Sequence, residues 1–256
     1  MKDNLTYFLS EFCRRYRTEE KIVIVPSYRL GRQIGESLAA QESPWVNLRF
    51  MTLPALADDV AGIEAASRGL KHISGAASLF LVEKIFRDLK NKGLLEYFSS
   101  LETSSGIVKS ILRSIKTLRM SGILSNDLRP ENFVNEKKGR EIKHILENYE
   151  EELKINNFID LPGLYRFAVE QLDSAEKAKK RLRNEFNGPF FLCMQEEILS
   201  RMERIFIEKH AGEKLVLIPR GSVYGVERPR RHWREKEIKS PFIGSTLAPQ
   251  PKTDLQ

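Results

Sequence analysis

The segment Lys21–Ser27 (KIVIVPS) decides the fold class. Four consecutive β-branched residues followed by proline and serine predict a strand that ends in a turn. In the segment 28–40, Leu30, Ile34 and Leu38 recur every four residues, which predicts an amphipathic helix. A strand followed directly by a helix is the first half of a parallel β-α-β unit.

The same order of strand, turn and helix recurs on both sides of a long central region. Val46–Met51 is apolar and leads through Thr52 into a helical stretch that reaches Val60. Later, Pro189–Met194 and Lys214–Pro219 are strand-like, with a helical pattern over about 196–210 between them. We therefore expect a parallel sheet that is built from both ends of the chain.

The central region, residues 62–186, has helical periodicity and no strand-like alternation. Asp160 ahead of Pro162 predicts the start of one of its helices. The predicted organisation is therefore an α/β sheet domain (1–61 and 187–220) interrupted by a large helical insertion (62–186), with a basic, proline-containing tail (221–256). The apolar positions that mark the four predicted helices are Leu79, Val82, Phe86 and Leu89; Ile107, Ile111, Ile115 and Leu118; Ile142, Ile145, Leu146, Tyr149 and Leu153; and Leu164, Phe167, Ala168 and Leu172.

Composition narrows the functional classes only modestly. With 256 residues, 41% of them hydrophobic, the chain can bury a large core. Its 42 Lys and Arg against 35 Asp and Glu give a formal charge of +7, a mild preference for polyanions. Its two cysteines, Cys13 and Cys193, lie far apart and predict buried thiols in a reducing compartment. No apolar run is long enough to cross a membrane, so we expect a cytoplasmic protein without a membrane partner.

Two local patterns, together with the order of elements, resemble superfamily I helicases of the UvrD/RecB type. Asn47–Ala57 (NLRFMTLPALA) is similar to the family's strand that ends in Thr-Phe-His and is followed by a short apolar helix. Asn157–Leu164 (NFIDLPGL) is similar to the stretch that precedes the family's Walker B strand. The resemblance implies a RecA-like, P-loop NTPase-like sheet interrupted by a helical subdomain, with Thr52 beside DNA. A helix N-cap would also explain Thr52, and more economically.

The nucleotide site of that family is degenerate in this chain. A phosphate loop needs Gly-x4-Gly-Lys-Ser/Thr, whereas the corresponding turn carries Pro26, Ser27, Gly31 and Arg32, and the sequence contains no Gly-Lys pair. The acidic Walker B pair, which would hold magnesium, is replaced by Cys193–Met194. Such departures are expected in the inactivated helicase region at the N-terminus of AddB/RexB-type proteins of the PD-(D/E)XK nuclease family. We therefore expect no catalytic residues, metal or cofactor, and no enzymatic activity of the chain's own.

One basic stripe is the clearest candidate for a binding surface. Its members recur at intervals of four and three without an intervening acid: Lys109, Arg113, Lys116 and Arg119. It predicts contacts with DNA phosphates, although a solvated helix face would have the same pattern. The resemblance implies a DNA-binding and scaffolding region in double-strand break repair and recombination, beside a catalytic helicase–nuclease partner subunit. The alternative is a module that docks a partner without touching DNA.

Overall fold

The computed structural model describes residues 4–40, 45–101, 103–182, 188–194 and 198–218, without the side chains of 176–182. The predicted tail, 221–256, lies outside these residues. The helices are α1 (Asn4–Arg15), α2 (Tyr28–Ala40), α3 (Leu53–Ser67), α4 (Gly75–Asn91), α5 (Ser105–Met120), α6 (Glu136–Ile155), α7 (Leu161–Leu182) and α8 (Arg201–Ala211). The strands are β1 (Lys21–Ile24), β2 (Leu48–Met51), β3 (Lys71–His72), β4 (Phe158–Ile159), β5 (Phe190–Met194) and β6 (Leu215–Ile218).

The fold is α/β, with a four-stranded parallel sheet in the order β2-β1-β5-β6. Strand β1 is central and buried along its whole length, which explains its uninterrupted run of β-branched residues. The chain leaves β1 through α2 to β2 on one side, whereas β5 and β6 extend the sheet on the other. The carboxyl ends of β1 and β5 therefore meet where the strand order reverses, which is where ligands bind in open α/β sheets.

Helices α1 and α2 contribute to the core that covers the sheet. Leu9 of α1 and Leu38 of α2 are fully buried in one cluster with Val23 and Leu192. Lys21 is also fully buried, and its Nζ donates to the carbonyl oxygens of Tyr16 and Glu19 just after α1. A lysine at this position stabilises the carboxyl end of a helix by its charge and its hydrogen bonds.

The contacts divide the chain into two compact units, each with a core of its own. One contains the described residues of 1–52, 186–197 and 211–256, and with them the sheet. The other contains 53–185 and 198–210 and is almost entirely helical. Helix α3 belongs to the helical unit and continues to Ser67, so the sequence-based boundary between residues 61 and 62 falls inside a helix.

The helical unit contains one pair of strands that the sequence did not predict. Strands β3 and β4 pair in parallel, with Lys71 opposite Phe158 and His72 opposite Ile159. Strands of two residues are too short to produce an alternating pattern, so periodicity could not reveal them. The predicted helix start after Asp160 is confirmed, because α7 begins at Leu161.

Among the described residues, no helix is long and apolar enough to cross a membrane.

Candidate nucleic-acid interface

Helix α5 presents three exposed cations on one face. The helix begins after Ser104, whose hydroxyl accepts a hydrogen bond from the backbone N–H of Ile107. The side chains of Lys109, Arg113 and Lys116 are exposed, and none of them forms an ion pair with another residue that the structure describes. We call these three residues the basic face.

The basic face borders an open groove of about 700 Å³. Its lining includes Gly75 at the first turn of α4 and Ser200 just before α8. Leu79, Leu112 and Met120 supply the apolar lining. The groove therefore combines an apolar floor with a cationic border.

The cations of the basic face repel one another. Like charges four residues apart on a helix cost about 0.2–0.5 kcal/mol per pair. Other cations of the helical unit have an acidic neighbour, as in the pair of Lys84 with Glu152 at 2.9 Å and that of Arg87 with Glu83 at 2.7 Å. A cluster of cations beside a groove, without acidic partners among the described residues, is suited to an anionic partner, because such a partner would relieve the repulsion.

Arg119 corrects the predicted stripe, because it does not belong to the exposed surface. It is 5% exposed, and its Nε and Nη2 donate to the two carboxylate oxygens of Asp160 at 2.9 Å each. Its Nη1 donates to Glu150 Oε1 at 2.9 Å. With its donors engaged inside the protein, Arg119 is not a phosphate contact.

The two carboxylates that bind Arg119 also bind other elements. Asp160 Oδ1 accepts the backbone N–H of Gly163 in the first turn of α7, at 3.0 Å. Glu150 Oε2 accepts the hydroxyl of Ser125, at 2.7 Å, in a short 3₁₀ turn after α5. Burial alone lowers the pKa of Arg119, but the hydrogen bonds and charges of Asp160 and Glu150 outweigh it and the pKa is raised. The guanidinium is therefore a permanent cation in a cluster where both of its carboxylate partners accept further hydrogen bonds.

The sequence did not indicate the partners of this cluster or the floor of the groove. Asp160 was interpreted as a helix start and as part of the stretch that resembles the helicase family, and Glu150 is one of several glutamates on α6. A local pattern could not have paired them with Arg119, since ion pairs between residues 31 and 41 positions apart depend on how the helices pack.

The turn after β1 is organised as an ordinary helix start. Ser27 Oγ accepts the backbone N–H of Leu30 at 3.3 Å, and Ser27 O accepts that of Gly31 at 3.2 Å. This is the usual arrangement of an N-cap serine. Pro26, in the same turn, has no amide hydrogen to offer to a phosphate.

Gly31 is required by packing against the neighbouring strand. A Cβ placed on Gly31 would lie 2.6 Å from Cβ of Phe50 in β2. The close approach of α2 to the sheet therefore explains this glycine without a nucleotide. Arg32 points outward and pairs with Glu36 at 3.4 Å, with its side chain 78% exposed.

The described part of β5 ends in Cys193 and Met194, at the position of the Walker B acids, and neither side chain carries an oxygen. The thiol of Cys193 is buried, and Met194 is half-buried and opposite Ile218 of β6. Thiol and thioether sulfur are poor ligands for magnesium. Within the described ranges, no group of three or more His, Cys, Asp or Glu side chains is placed to hold a metal.

Thr52 lies in the sheet unit, directly after β2 and directly before α3, and is half-buried. This position suits both the predicted phosphate contact and the start of a helix. It belongs to a different unit from the basic face.

No family model matches the chain, and no curated protein matches it either. The function therefore has to be inferred from the residues and their contacts.

Proposed function

We propose that the chain is a non-catalytic, DNA-binding and scaffolding region of an AddB/RexB-type subunit that acts in double-strand break repair and recombination. The observation that carries the proposal is the basic face, whose three exposed cations have no acidic partner among the described residues and border a groove. Phosphates are the natural complement of such a surface, and each one contacted adds salt-dependent affinity.

The described residues at the carboxyl ends of β1 and β5 support this assignment. We infer a RecA-like sheet, on the basis of four parallel strands with the helical segments inserted between β2 and β5. After β1, Ser27 caps the first turn of α2. Strand β5 ends in Cys193 and Met194. A region that binds DNA without consuming nucleotide needs neither a phosphate loop nor magnesium ligands.

The scaffolding part of the proposal places a catalytic helicase–nuclease subunit beside this chain, in the cytoplasm. Cys13 and Cys193 are buried and form no disulfide, which is compatible with a reducing compartment. The partner would supply the ATP hydrolysis and the strand cleavage.

A second candidate is a docking module that binds a protein partner and no DNA. The apolar floor of the groove, formed by Leu79, Leu112 and Met120, favours it, because desolvated apolar contacts dominate protein interfaces. The two candidates differ in how binding responds to salt.

The test is the binding of a fluorescently labelled forked DNA to the purified chain, followed by anisotropy. DNA binding predicts a saturable signal at low salt that weakens steeply as salt is added. No binding at low salt would contradict the proposal and leave the docking module as the better assignment.

A further inference from the structure

The basic residues of helix α5 differ in their exposure to solvent. The basic face is exposed and without acidic partners in the described part of the chain, whereas Arg119, about one turn beyond Lys116, is buried and paired with Asp160 and Glu150. Arg119 lies three positions after Lys116 on the helix, a rise of about 4.5 Å. Whatever fixes Arg119 therefore fixes the last turn of the basic face.

The bonds of Arg119 join α5 to two other helices. Asp160 immediately precedes α7, and Glu150 lies in α6. Because Asp160 also binds the N–H of Gly163, and Glu150 binds Ser125, each carboxylate is itself fixed by a second bond. A planar guanidinium held by two fixed carboxylates restricts both the rotation and the sliding of the helix that carries it.

Apolar packing alone would hold α5 less specifically. Its buried neighbours on the same helix, among them Leu112 and Ile115, make nondirectional contacts in the shared core. Hydrophobic cores tolerate small repacking, whereas bidentate ion pairs lose their geometry after small displacements.

We propose that Arg119 is a positioning residue: its bonds to Asp160 and Glu150 fix α5 on α6 and α7 and thereby set the orientation of Lys109, Arg113 and Lys116 toward phosphates. This inference rests on the proposed DNA-binding function for its consequence. The fixing of α5 can be measured without DNA.

The variant that tests the positioning role of Arg119 replaces both members of an ion pair at once. Arg119→Met combined with Asp160→Asn removes the central ion pair without leaving an unpaired carboxylate at 160, and the asparagine oxygen can still accept from Gly163. The matched control is Lys84→Met with Glu152→Gln, which removes a surface ion pair of the same unit. Circular dichroism and thermal melting establish that both variants are folded.

The position of α5 is measured by the distance between two spin labels. The labels are attached to Ser110→Cys in α5 and Glu170→Cys in α7, both exposed positions, in a background with Cys13→Ala and Cys193→Ala. The positioning role predicts a narrow distance distribution in the parent and the control, and a shifted or broadened one in the Arg119→Met/Asp160→Asn variant. An unchanged distribution in a folded variant would overturn the inference.

Binding of forked DNA to the unlabelled proteins supplies the functional readout. The positioning role predicts that the Arg119→Met/Asp160→Asn variant binds on the order of tenfold more weakly than the parent, even where its melting temperature is retained. If a fully stable variant bound DNA as tightly as the parent, a merely structural role would be established and the inference would fall. Failure of the parent to bind DNA would refute the proposed function, and the spin-label distances would still decide whether Arg119 fixes α5.

Discussion

Arg119 and Asp160 form two parallel hydrogen bonds, from Nε and Nη2 to the two carboxylate oxygens, each 2.9 Å long and shielded from solvent. Arginine and carboxylate groups match in this geometry, which makes it the strongest form of ion pair in proteins. Helix α5 therefore carries one buried cation, which is bound inside the protein, and three exposed cations, which a partner can reach.

Arg119→Ala is expected to destabilise the protein by about 3–5 kcal/mol, because it leaves the buried Asp160 carboxylate without its cation. The measurement is urea-induced unfolding followed by circular dichroism. Arg113→Ala, on the same helix but exposed, is the control and should leave the unfolding midpoint unchanged. Equal midpoints for the two variants would show that Arg119 is not buried in an essential ion pair.

Gly31→Ala is expected to destabilise the sheet unit, since its Cβ would lie 2.6 Å from that of Phe50. Overpacking of this kind costs about 1–3 kcal/mol, against a gain of up to about 1 kcal/mol in helix propensity. Gly35→Ala in the same helix is the control, because its Cβ would make an ordinary contact of 3.5 Å with Phe50. Thermal melting should show a lower midpoint for the first variant only, and a midpoint unchanged by Gly31→Ala would refute the packing explanation.

Ionisation of Tyr149 is expected to lower the free energy of unfolding at alkaline pH. Burial, reinforced by the negative charge of Asp160, raises the pKa of Tyr149 to about 12. Because the folded chain holds the phenol proton more tightly than the unfolded chain, this contribution is fully present below about pH 10 and is lost as the pH rises through about 12. Two pKa units correspond to about 3 kcal/mol at most.

The check on Tyr149 is urea unfolding across that pH range for the parent and for Tyr149→Phe, which cannot ionise. The variant should lose less stability between pH 10 and 12 than the parent. Parallel curves for the two proteins would mean that the Tyr149 phenol is not shielded in the folded state.

Magnesium–ATP is expected to leave the melting temperature unchanged, since the turn at Ser27 caps a helix and Cys193–Met194 supplies no oxygen ligand. A ligand that binds only the folded chain raises its stability in proportion to RT ln(1 + [L]/Kd). Thermal melting with increasing ATP, with and without magnesium, is the measurement. A saturable rise in the melting temperature that requires magnesium would contradict this prediction and show that the chain binds a nucleotide.

The sequence predicted the sheet well because its strands are short, mainly apolar runs next to turn formers and helical patterns. The segments that contain β1, β2, β5 and β6 were all expected as strands, and the structure confirms each of them. Strands β3 and β4 were not predicted, because a strand of two residues is too short to show the alternation of apolar and polar side chains. Helix boundaries such as the end of α3 at Ser67 depend on packing and were not visible in the sequence.

The candidate site was predicted only in part, because the buried side of α5 is centred differently from its apolar pattern. Ile111 and Ile115 are buried as that pattern predicted, whereas Ile107 and Leu118 are only half-buried and Val108 and Leu112 are buried. Successive residues of a helix turn by about 100°, so this shift of the apolar side brings position 119 into the core. A buried arginine is rare enough that a solvated or DNA-binding role was the natural expectation.

The most direct test of the central claim is the salt dependence of forked-DNA binding by a variant that carries Lys109→Gln, Arg113→Gln and Lys116→Gln. The control carries Lys137→Gln, Arg140→Gln and Lys143→Gln in α6, which removes the same formal charge from another helix of the same unit. If the basic face contacts three phosphates, the slope of log affinity against log salt should become shallower by about 2–3 in the first variant and far less in the control. Equal slopes in the parent and both variants, or no binding by the parent at low salt, would contradict a DNA-binding role for this face.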